Sequence, residues 1–180
     1  MLNGVSTTGR NSLIQAYGLF WRLDEIDWSP GRGSRDWHLY GRNGANSSKI
    51  KVVDFRDQKG IYILYGNYGP HYVGLTRKKG LGRRLKDHLF DRHDGEWDRF
   101  SWFGFCSVLK AKDENGLQRT REMPLSKITD INRTIGDMEA LLIKAMALKN
   151  VNSMKFKSAL EWKQIKRDEQ EKYGSRLAVR

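Results

Sequence analysis

Two apolar runs separated by a short turn-forming segment constrain this chain more than anything else in it. Gly60–Tyr65 carries the triplet Gly60-Ile61-Tyr62, and His71–Leu75 carries Tyr72-Val73-Gly74. Between them stand Gly66-Asn67-Tyr68-Gly69-Pro70. Gly and Asn tolerate the left-handed region and Pro fixes φ, so this spacing predicts a β-hairpin with one tyrosine in each strand.

The rest of the chain reads less sharply. Ser12 precedes Leu13, Ala16, Tyr17, Phe20 and Leu23, whose spacing predicts a capped helix to about Leu23. Asp27–Ser48 reads as loop with a short strand near Trp37–Tyr40, and Ile50–Phe55 as another strand. Leu81, Leu85 and Leu89 recur every fourth residue and predict a helix from Leu81 to about Arg92. Phe100–Leu109 reads as a strand buried on both faces. Asp113–Arg133 is a polar excursion with Asn115-Gly116 as a tight turn. Thr134 with Asp137 forms a capping box for a helix over Thr134–Lys149. The charged tail, Lys155–Tyr173, reads as a surface helix with Ala159, Trp162 and Ile165 along one line.

With hydrophobic residues at 38%, six Trp, seven Tyr and seven Phe must supply much of the core. The net charge of +12 suits a polyanionic partner, and nucleic acid is the commonest one. Arg77, Lys78, Lys79, Arg83, Arg84 and Lys86 crowd one stretch with no acid among them. Such residues position a phosphate backbone without reading bases. Trp28 and Trp37 are core aromatics or stacking platforms for single strands. The lone Cys106 rules out an internal disulfide and a Cys-x-x-Cys zinc site. No run is apolar and long enough for a membrane span, and Met1–Arg10 has no apolar signal core, so a cytoplasmic location is expected. The sequence leaves the oligomeric state open.

Four residue types in order suggest chemistry. Glu139 sits in a helical segment beside Ile135, Leu142 and Ile143, where a carboxylate is costly without a metal, an arginine or a pocket. Arg84 offers a permanent planar charge that can stabilise a phosphorane-like transition state. A cation beside Tyr62 or Tyr72 would lower the phenol pKa and let a phenolate or bridging water accept a proton. His88, one turn from Arg84, can hydrogen-bond such a phenol or assist the transfer.

This ordered set resembles the GIY-YIG nuclease family over Gly60–Asn152. The resemblance implies an α+β fold: a small three-stranded antiparallel β-sheet flanked by helices. It divides the chain into an N-terminal extension (1–58), a nuclease domain (59–152) and a basic C-terminal helix (153–180). It also implies a DNA endonuclease working with one Mg2+ or Mn2+. By position, Tyr62 and Tyr72 match the motif tyrosines, Arg84 the catalytic arginine, His88 a site held by His or Tyr, and Glu139 the metal ligand. Asn150 or Asn152 matches the polar residue that closes the domain. Leu75 stands where some members carry a lysine. Restriction or phage defence is the implied setting.

Overall fold

A computed structural model describes residues 12–29, 37–44, 50–76, 78–124, 131–146, 156 and 159–170. Its centre is the expected hairpin. Strands β4 (Gly60–Gly66) and β5 (Gly69–Thr76) pair antiparallel around the Asn67-Tyr68 turn, with Tyr62 opposite Gly74 and Leu64 opposite Tyr72.

The sheet built on this hairpin overturns the three-stranded expectation. It has five strands in the order β5-β4-β6-β1-β9, and two smaller sheets accompany it, so the chain is a mixed α/β protein. β6 (Arg99–Gly104) pairs antiparallel with β4, and β1 (Ala16–Arg22) pairs antiparallel with β6. β9 (Leu160–Glu161) then adds in parallel to β1. A second sheet orders β10 (Lys163–Gln164), β2 (Tyr40–Asn43) and β3 (Lys51–Asp54). A third pairs β7 (Cys106–Lys112) with β8 (Gln118–Glu122). The segments read as an extension and a tail thus supply strands to the sheet that carries the hairpin.

The helix expected over Ser12–Leu23 is a strand with an irregularity. Its register shifts between Gly18 and Trp21, and Phe20 there has φ 51. The extra residue of such a bulge disrupts the alternation that identifies a strand. The tail helix is likewise replaced, over the described residues, by β9, β10 and a helical turn at 167–170, with Trp162 and Ile165 fully buried. The long strand over Phe100–Leu109 breaks at Phe105 into β6 and β7.

The central sheet is buried on both faces. On one lie Trp21, Phe55, Tyr62, Leu64, Phe100, Trp102 and Trp162, with Leu81 and Leu85 of helix α1 (Leu81–Asp87). On the other lie Tyr17, Ile63, Tyr65 and Phe103, with Ala140 and Ala145 of helix α2 (Ile131–Ala145). Alternation along β4 therefore sends Tyr62 toward α1 and Ile63 toward α2. Because α2 already includes Ile131, Thr134 lies inside the helix and not at its start, and Asp137 turns to the segment before β1. Its carboxylate accepts the Ser12 hydroxyl at 2.5 Å and the Leu13 N–H at 2.9 Å, which ties α2 to the chain leading into β1. Near the other end the Tyr65 hydroxyl donates to the Ala145 carbonyl at 2.7 Å.

Candidate active site

The hairpin and α1 build the site together. The Leu81 N–H donates to the Gln58 carbonyl and the Gly82 N–H to Arg56, so the helix start hangs from the turn that leads into β4. Buried Leu81 and Leu85 then fix the helix rotation. That rotation brings Arg84 and His88 over Tyr62. The helix stops at Asp87, not Arg92: the Leu89 and Phe90 N–H groups bond only three residues back, to Lys86 and Asp87, and the Asp91 carboxylate then accepts the His93 N–H at 2.9 Å.

The two motif glycines have steric causes. A Cβ on Gly74 would overlap the Tyr62 ring and hydroxyl. A Cβ on Gly60, at φ 153, would overlap the Phe103 carbonyl across the sheet. The second triplet therefore ends in glycine because the first ends in a tyrosine that lies across it.

Tyr62 is 0% exposed, and its hydroxyl lies 2.7 Å from His88 Nε2. His88 Nδ1 lies 2.7 Å from an Asp91 carboxylate oxygen. Arg84 and Tyr72 both act on the same Tyr62 phenol. Tyr72 is half-buried, with its ring 5.2 Å from His88 and 4.5 Å from His93. Four sequence-predicted residues, Tyr62, Tyr72, Arg84 and His88, thus share one basin.

The electrostatics correct one expectation. Burial pushes the Tyr62 pKa up to about 12, and the nearby Arg84 charge only partly opposes it. Desolvation outweighs the cation, so Tyr62 is a neutral phenol at physiological pH. Burial also works against the Arg84 cation, but the Tyr62 and Tyr72 phenols and Asp87 outweigh it and raise its pKa. Desolvation opposes the charged Asp91 as well, yet the His93 N–H and the His88 ring hold its pKa below the ordinary value. Burial lowers the pKa of His93, which favours a neutral ring.

No family model, curated protein or solved structure matches this chain.

Glu139 does not join the basin. It is an exposed residue on α2, and α2 packs on the sheet face opposite Tyr62. Its neighbours Ile135 and Leu142 are themselves 58% and 57% exposed, so the carboxylate keeps its water and needs no partner to offset burial. A metal held by Glu139 would have the sheet between it and the phenols, and the Mg2+ or Mn2+ site implied by the resemblance does not fit these residues. Asn150, Asn152 and Arg77 lie outside the described residues.

The basic stretch is partly neutralised. Asp87 pairs with Lys79 at 2.9 Å, with Arg83 at 3.2 Å and more loosely with Arg84 at 4.0 Å. Lys86 donates to the Trp28 carbonyl at 3.1 Å and lies over the Trp37 ring, so it braces the two tryptophans. Lys78 is exposed. Trp28 and Trp37 rest on each other, with centroids 5.2 Å apart.

Sequence reasoning missed Asp91, His93 and His71. His71 Nε2 lies 3.0 Å from His93 Nδ1, and the His93 ring centroid is 5.1 Å from that of His88. The signal was available: three of the chain's four histidines fall between positions 71 and 93, in part as His88-x-x-Asp91-x-His93.

Proposed function

We propose that this protein hydrolyses phosphodiester bonds in DNA. The observation that carries the reading is the convergence of Arg84, Tyr72 and the Asp91–His88 pair on the buried Tyr62 phenol. Arg84, with its side chain 32% exposed, is placed to grip a phosphate and hold the charge that grows on it. Tyr72, the half-open phenol, orients the attacking water. Tyr62 is sealed from solvent and neutral, so it serves as a link that couples Tyr72 to His88. Asp91 orients the His88 ring and balances positive charge that develops on it. Lys79 and Arg83 gather with Arg84 around Asp87 and, with the exposed Lys78, suit a backbone contact whose affinity falls with salt.

The test is relaxation of supercoiled plasmid by purified protein, with Mg2+, Mn2+ or Zn2+ added singly and with EDTA. Nicking by the wild type, reduced about 10²–10³-fold by Arg84→Ala, supports the reading. Intact plasmid in every condition defeats it. A second reading, a nucleic-acid-binding module without catalysis, is favoured by the separation of Glu139 from the basin. It predicts salt-sensitive DNA binding with no strand scission.

A further inference from the structure

We propose that His88, Asp91 and His93 form a transition-metal site of the zinc type beside Tyr62. The inference does not depend on the hydrolase reading, and in the loaded protein His88 is a ligand that no longer gains the positive charge which that reading gives it. Each of the three residues offers one ligand atom, and these atoms lie within 4.8 Å of one another. Two imidazoles with one carboxylate suit Zn2+ and its first-row neighbours, whereas Mg2+ prefers an all-oxygen set with near-ideal octahedral geometry.

The surrounding contacts select the coordinating atoms. His88 turns Nε2 to Tyr62, which leaves Nδ1 facing Asp91. The His93 N–H holds one Asp91 oxygen at 2.9 Å, and the other is the one that faces His88. His93 turns Nδ1 toward His71 and Nε2 toward Arg92; an ion on Nδ1 would put the ring proton on Nε2 and release the long 3.4 Å contact from the Arg92 guanidinium. The 3.0 Å between His93 Nδ1 and His71 Nε2 is close to the roughly 3.3 Å edge of a tetrahedron with zinc–nitrogen bonds of about 2.0–2.1 Å. His71 is exposed on β5 and near His93 only, so a water or a moved His71 would fill the fourth position.

The outer contacts resemble those that orient metal ligands elsewhere: a hydroxyl fixes the far nitrogen of one histidine, and a backbone N–H fixes the carboxylate. His88 is 2% exposed and His93 9%, so both rings are held before any ion arrives. Loading would replace the proton shared by His88 Nδ1 and Asp91. The remaining His88 proton then sits on Nε2, and Tyr62 becomes the acceptor of that hydrogen bond.

The experiment uses the full chain, stripped with EDTA and dialysed, then titrated with Co2+ and with Zn2+. We expect one equivalent of Co2+ to give the visible absorption of a tetrahedral ion without a thiolate charge-transfer band, and one equivalent of Zn2+ to displace it. Asp91→Ala and His93→Ala should abolish the signal. Tyr62→Phe should weaken binding about 10–100-fold, and His38→Gln should leave it unchanged. Because variants can misfold, the wild type is also followed by histidine-ring nitrogen NMR. Zinc should shift His88 and His93 and spare His38, which pairs with Asp54 elsewhere. Absence of stoichiometric binding, retention of binding in Asp91→Ala with His93→Ala, or a zinc shift confined to His38 would overturn the site.

Discussion

Replacing Gly74 by alanine tests the core of the site without removing any polar group. A Cβ at this position overlaps the Tyr62 ring and hydroxyl, so either the ring swings or β5 shifts. Overpacking of this kind costs about 1–3 kcal/mol. A swung ring also leaves His88 Nε2 buried without the hydroxyl now 2.7 Å away, a further ~1–3 kcal/mol. Against this, alanine restricts the unfolded chain and returns about 0.4–1 kcal/mol. The net loss is about 1–6 kcal/mol, which at about 2–4 °C per kcal/mol lowers Tm by roughly 2–24 °C. Gly136→Ala is the matched control. That glycine lies in α2 with nothing within 4 Å of an added Cβ, and the exchange should gain about 0.5–1 kcal/mol of helix stability. Thermal unfolding followed by circular dichroism reads both. A Gly74→Ala protein that melts within a degree of wild type, with plasmid relaxation intact, would refute the claim that Tyr62 occupies the space over Gly74.

Other expectations follow from the same geometry. Glu139→Ala should leave plasmid relaxation within about twofold, because the sheet separates it from Arg84; loss of cutting would put Glu139 back in the mechanism. Asp137→Ala strands the Ser12 hydroxyl and Leu13 N–H and should cost about 1–3 kcal/mol in urea unfolding. Tyr62 ionises near 12 when folded against an ordinary 10.0, so its stabilisation is complete below pH 10 and lost as pH rises through 12. The rise corresponds to about 3 kcal/mol, and Tyr62→Phe should flatten that part of the stability curve measured in alkaline urea titrations.

The hairpin was legible because its information is local: Asn67, Gly69 and Pro70 are turn residues, and the flanking runs have strand length. The buried stretch of β6 was legible for the same reason, since Phe100–Phe103 is apolar or small throughout. β1 was not. Leu13, Ala16, Tyr17 and Phe20 fall at intervals that mimic a helix, and the irregularity at Phe20 breaks the alternation that would have marked a strand. β9 and β10 are two residues each and owe their form to partners about 120–145 positions away. The clustering of Tyr62, Tyr72, Arg84 and His88 followed from motif order. Glu139 misled because neighbouring apolar residues suggested burial, whereas Ile135 and Leu142 point outward. His71 and His93 carried a signal in their crowding that no motif template weighed.

β4 contributes alternate side chains to two different interiors, Tyr62 and Leu64 to one and Ile63 and Tyr65 to the other. Its length is therefore a fixed quantity. Losing or gaining one residue between Gly60 and Gly66 would exchange Tyr62 with an isoleucine and destroy both interiors at once. Evolutionary drift in this protein should accept no insertion or deletion along that strand, while the Asn67-Tyr68 tip remains free to lengthen.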